Sequence, residues 1–285
     1  MLYEIRNQNL SFSADTFGAE LHSLKKDGLE YLWQCGEAWK RYAPVLFPFI
    51  CSPEGRNYRA GGKTYHMNAN HGFARDLEFQ LLEQTKTTVS FILHDSPETL
   101  AQYPYPFALT IKYTLLADGV KIENIVQNTG TDTMYFYLGG HPAFNCPLEA
   151  GTDFTDYYIE YEKNETLTRK IQHQDVILAE KQNKIPVTRA LFDYDAIILD
   201  NPDSESISLK SEKSEHSVTV VFPDSQAIAV WSPEKDDNAA FVCLEPWTSV
   251  PVYYDDNQPD LEKKAHAVKL EAGQNYHYTY EIHVK

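Results

Sequence analysis

Three short stretches of the 285-residue chain set a titratable side chain beside glycine or proline at the end of an apolar run: His71 in NHGFAR, His141 in LGGHPAFN and Glu245 in FVCLEPW. Two imidazoles and a carboxylate can exchange protons with a bound hydroxyl, or they can ligate a metal ion. A zinc set normally keeps two of its ligands close in sequence, and no HxxxH or HxH pair occurs here, so no metal site is expected. No GxSxG motif follows a strand-like run, and Cys146 and Cys243 lack a basic neighbour, which argues against a serine or cysteine nucleophile. No glycine-rich loop precedes a helix to cradle phosphate. Taken singly, each of the three also reads as an ordinary structural polar group. Glu245 weighs more, because Phe241 to Leu244 form a near-continuous apolar run typical of a strand buried on both faces. A carboxylate there needs partners or a purpose. Pro246 and Pro142 should end their ladders, leaving Glu245 and His141 at a rim, and Gly139 and Gly140 should let backbone or ligand approach closely.

The elements that must hold these groups read as strands. Leu109, Ile111, Tyr113 and Leu115 alternate, an Ala117-Asp118-Gly119 turn follows, and Val120, Ile122 and Asn124 continue on a return strand. A third run, TMYFYLGGHPAF, begins after Asn128-Thr129-Gly130, so a three-stranded meander is expected over residues 108 to 140. Strand-like runs recur at 2–13, 87–94, 155–162, 206–210, 216–222, 226–231, 239–245 and 275–284. Helix is scarce. Ser96 caps a short one with Pro97 at its first position, and Pro104 and Pro106 stop it. The polar stretches 163–176 and 201–215 read as surface loops or hairpin tips, and 255–264 as loop. No repeat or low-complexity tract interrupts the pattern, so residues 1–285 are read as a single all-β domain.

Composition narrows the partners. With 25 Lys plus Arg against 41 Asp plus Glu, the formal charge is −16, a field that repels nucleic acid and anionic lipid. No 18-residue apolar run spans a membrane, the first residues lack the apolar core of a secretory signal, and four cysteines show no CxxC spacing. A reduced, cytoplasmic protein is expected, as a monomer or homodimer. The 19 Tyr, 14 Phe and 4 Trp suit pleated surfaces, and such rings also serve as platforms for sugar faces.

Several spaced motifs together are more specific. GAELHSL (18–24), EYLW (30–33), APVLFPF (43–49), EGR (54–56), NHGFAR (70–75), GGHPAFN (139–145), DYD (193–195) and CLEPW (243–247) stand in the order found in the aldose 1-epimerase, or galactose mutarotase, family. The resemblance covers nearly the whole chain. It implies a large twisted antiparallel β-sandwich, the galactose mutarotase-like supersandwich, with a sugar bound in an open cleft, and a reaction that interconverts α and β anomers. By the same resemblance Glu245 matches the general base, His141 the general acid, and His71 the second histidine near the ring and anomeric oxygens. Arg56 matches the arginine that holds sugar hydroxyls. Asp195 matches a hydroxyl-binding aspartate, although Ala196 replaces the histidine that usually follows. The short NHGFAR form resembles a divergent branch that includes lactose-operon-associated proteins and, more distantly, hexose-6-phosphate epimerases. Arg56, Arg59 and Arg75 are therefore candidates to meet a phosphate, and Trp247, Phe73 and Phe144 to stack on a sugar. A phosphorylated-hexose epimerase and a non-catalytic carbohydrate-binding protein on the same fold stay open.

Anomer exchange needs a proton taken from the C1 hydroxyl and one given to the ring oxygen, with no cofactor or metal. A glutamate of ordinary pKa is ionised near neutrality and can accept, and an imidazole raised by a nearby carboxylate can donate.

Overall fold

The structure is a computed structural model that describes residues 1–171, 174–234, 236 and 238–285. Alternating sequences give long antiparallel ladders. Among the described residues a nine-stranded sheet runs in the order Gln174–Pro186, Tyr157–Ile171, Ser206–Ser211, Val218–Val221, Asn275–Val284, Gly119–Asn128, Phe107–Leu115, Thr88–His94, Gln80–Gln84. A six-stranded sheet runs Ile197–Asp200, Ala227–Trp231, Phe241–Trp247, Gly139–Gly140, Val45–Leu46, with Ala143–Asn145 also paired to Phe241–Trp247. Leu109, Ile111 and Tyr278 from the first sheet and Ile228, Val242 and Leu244 from the second belong to one continuous apolar core. This is the all-β antiparallel sandwich expected from the alternation and the motifs. The capped helix is there too: Pro97–Gln102, with the Thr99 N–H donating to Ser96 Oγ at 3.3 Å.

Three expectations are corrected. The hairpin Phe107–Leu115 with Gly119–Asn128 forms as read, but Met134–Phe136 does not extend it into a meander; it pairs with Val268–Leu270, and Asn275–Val284 takes the place beside Gly119–Asn128. The Asn128 side chain diverts the chain: its Nδ2 donates to Asp132 O (2.8 Å) and Leu270 O (2.9 Å), and its Oδ1 accepts from Gly130 N–H. Most of the stretch 163–176 is strand, with residues 172 and 173 outside the described residues. Its alternation was hidden because two inward positions are polar. Glu165 accepts from the backbone and side chain of Ser204, and Arg169 donates to Leu191 O and Asp195 O. Finally, Pro246 does not end its ladder. Phe241–Trp247 is one strand buried at every position, and Glu245 lies within it, opposite Ala229.

Candidate active site

The register of the six-stranded sheet builds the site. Ala143 faces Cys243 and Gly139 faces Trp247 across one antiparallel line, which sets position 141 opposite Glu245. The neighbouring chain breaks its ladder at His141 and Pro142, and directly opposed residues share a face, so imidazole and carboxylate meet. His141 Nε2 lies 3.2 Å from Glu245 Oε2, and Glu245 is 2% exposed. The facing residue on the other side is Ala229, which is fully buried. Gly139 and Gly140 are required by packing within the protein, not by room for a ligand. A Cβ on the first would overlap the Trp247 ring, and one on the second would overlap the Tyr280 hydroxyl.

His71 arrives from a different kind of segment. Residues Cys51, His71 and Gly72 all have positive φ, and Gly72 forms an isolated bridge with Phe47 so close that a Cβ would overlap the Phe47 carbonyl. Glycine is demanded there by backbone contact, not to keep the imidazole uncrowded as its sequence neighbourhood suggests. His71 Nδ1 accepts the Cys51 N–H at 3.0 Å, which leaves its proton on Nε2 as a fixed donor. The two histidine rings stand edge to face with centroids 5.5 Å apart.

Around this trio lies a cavity of about 260 Å³ whose wall includes Asn70, Arg75, Asp195, Trp39, Trp231 and Trp247. Arg75, Asp195 and Trp247 are thus gathered with His71, His141 and Glu245. Arg56 is not: its guanidinium is exposed and donates to Asn68 O at 2.9 Å. Arg59 pairs with Asp260 at 3.2 Å, so the three arginines considered for a phosphate do not converge on this wall. Phe73 and Phe144 are core residues. Trp247 is almost wholly buried and presents an indole Nε1–H with no partner among the described residues, a donor and not a stacking face. Two residues escaped the sequence reading. Trp39 stacks on His141 (centroids 4.9 Å, 26° between planes) and Trp231 meets it edge-on at 5.6 Å. Trp231 ends a recognisable strand and is two positions from Ala229, which signals its face; Trp39 sits in a segment with no periodicity to give it away.

Burial dominates the electrostatics. It pushes His141 down to about 3, with Arg75 and Arg41 adding to the effect, and it pushes Glu245 well above the usual carboxylate range, with Asp195 adding. His71 is driven well below the ordinary imidazole value by burial, then by His141 and the two arginines. The expectation of an ionised glutamate beside a raised histidine is therefore corrected. At 3.2 Å the dry pair holds one labile proton, and burial favours it on the carboxyl. His141 Nδ1 and Arg75 Nε have no hydrogen-bond partner among the described residues.

Donor atoms of His141, Cys243 and Glu245 lie within 4.8 Å of one another, a grouping that sequence spacing did not reveal. Cys243 and Glu245 share a strand face, but the Cys243 thiol is held protonated by burial and packs with Ala143 and Phe241. A soft-metal ligand must be a thiolate, so this set fits a metal poorly. Among the described residues no helix is long and apolar enough to cross a membrane.

Comparison with known proteins agrees with this architecture. The chain is 34% identical over 291 residues, 95% of each protein, to the chromosomal protein LacX of Lactococcus lactis subsp. lactis. A galactose mutarotase related enzyme from Lactobacillus acidophilus superposes with a TM-score of 0.94 at 30% identity, covering 100% of this chain and 97% of that one. A galactose mutarotase-like protein from Lactobacillus casei superposes with a TM-score of 0.91 at 32% identity over the full length of both. The sequence profile described as aldose 1-epimerase matches residues 1–283, and with these relatives it shows that the chain belongs to the aldose 1-epimerase family.

Proposed function

We propose that the protein interconverts the α and β anomers of a free hexose by acid and base ring opening, with Glu245 and His141 exchanging protons with the sugar. The observation that carries this reading is the buried 3.2 Å contact between them, with His71 set edge-on beside it. Ring opening removes the proton of the C1 hydroxyl, breaks the bond from C1 to the ring oxygen, and delivers a proton to that oxygen. One group must be protonated and one free at each turnover. A pair that shares a single labile proton meets this requirement whichever member holds it at rest. When sugar hydroxyls supply dipoles to the dry cleft, the proton moves to His141 Nε2, and Glu245 accepts from the C1 hydroxyl as His141 donates to the ring oxygen. Rotation about the bond from C1 to C2 turns the carbonyl, and closure reverses both transfers. His71 Nε2–H, fixed by the Cys51 N–H, orients an oxygen of the reacting centre. Arg75, Asp195 and Trp247 hold hydroxyls from the wall.

A pure binding protein has no use for an acid and base in contact, and the scatter of Arg56 and Arg59 disfavours a phosphorylated hexose. Polarimetry on freshly dissolved α-glucose or α-galactose tests the reading. Equilibration should be accelerated in proportion to protein concentration; a rate equal to buffer alone, with sugar binding demonstrated, would leave only the binding role.

A further inference from the structure

We propose that the cleft continues into a second sugar subsite, so that the preferred ligand is a reducing oligosaccharide whose penultimate ring lies on a shelf of tyrosines. The proposal rests on the reading above only for where the reducing ring sits. A second cavity of about 150 Å³ shares Asp195 and Ala196 with the first, and Ala196 contributes no side chain beyond Cβ to separate them. Of the 19 tyrosines, the three that are exposed among the described residues all line this annex: Tyr194 (61%), Tyr253 (42%) and Tyr254 (38%). Exposed aromatic faces are costly in water, and their concentration beside a polar cleft suits the apolar C–H face of a pyranose.

The turn that carries two of the three rings is tied down within the protein. Tyr253 and Tyr254 ride on the turn Val252–Asp255, with ring centroids 5.3 Å apart. The buried Lys264 Nζ donates to Asp255 O at 2.8 Å, and Tyr137 Oη–H donates to Asp255 Oδ2 at 3.1 Å, which pins that turn. Ordering costs on binding are thereby reduced. Polar recognition is at hand as well. Arg169, buried in the annex wall, donates from Nη2 to Leu191 O and Asp195 O, while its Nε has no partner among the described residues. Its charge stands close to Asp195 and Asp193, so the annex offers no excess of positive charge and favours a neutral ring over a phosphate.

Lactose, maltose and melibiose all end in glucose, so calorimetric binding of each, with glucose as the common reference, isolates the second ring. At least one should bind about tenfold more tightly than glucose. That advantage should fall below about twofold in Tyr253→Ala and in the Tyr194→Ala/Tyr253→Ala double variant, with glucose affinity and the circular dichroism spectrum unchanged. Equal affinity for glucose and all three disaccharides overturns the proposal, as does an advantage that survives loss of the tyrosines. A comparable gain for glucose 6-phosphate instead would make the annex an anion site and also overturn it. Binding is read without turnover, so a missing gain leaves the anomer-exchange reading untouched. A gain without accelerated anomer exchange would keep the subsite and remove the epimerase.

Discussion

At the scale of single residues, His141 and Glu245 owe their properties to being opposed and dry. Burial disfavours charge on either, so the proton they share is lost only at high pH and a second is gained only at low pH. We expect kcat/KM for anomer exchange to be flat through the ordinary imidazole value of about 6.5, with the acid limb well below it. A fall in rate centred near that value as pH rises would mean that a free imidazolium is the acid. Stability follows by linkage. A histidine whose folded value is about 3 contributes stability above its unfolded value, and this is lost as pH falls from about 6.5 towards 3. Thermal melts should therefore show a smaller drop in Tm between pH 7 and pH 4.5 for His141→Asn than for the natural protein. An equal drop would place the acid sensitivity elsewhere.

At the scale of elements, a close backbone contact positions His71. Gly72 has φ +74° with its α-carbon against the Phe47 carbonyl, so Gly72→Ala should cost about 1–3 kcal/mol from backbone strain alone and more from the overlap, measured by urea unfolding. A cost below about 0.5 kcal/mol would show that the 47–51 and 70–73 segments are not locked together. Most strands were legible because their inward positions are apolar at period two, as in Leu109, Ile111 and Tyr113. The later part of Tyr157–Ile171, beyond the run read at 155–162, was not, since Glu165 and Arg169 occupy inward positions and are satisfied by Ser204 and by carbonyls distant in sequence. The place of Met134–Phe136 depends on the side chain of Asn128, which no periodicity reports.

At the scale of the whole molecule, the sandwich keeps Phe241–Trp247 buried on both faces and opens a single wall of it to a cleft. The motifs named His71, His141 and Glu245, but only the register of Gly139 and Ala143 against that strand explains why residues a hundred positions apart touch. Trp39 and the choice of Arg75 over Arg56 for the wall are products of tertiary packing and left no trace in local sequence. With a formal charge of −16, the molecule as a whole also disfavours anionic ligands, in line with a neutral sugar. The most direct measurement is magnetisation exchange by NMR between the α and β anomers of the best-bound sugar, with the natural protein and with Glu245→Gln, each at saturating ligand. We expect the amide to keep the fold and to bind sugar within about threefold while the exchange rate falls at least about 10²-fold. Exchange by Glu245→Gln at the natural rate would contradict the assignment of this carboxyl to proton transfer.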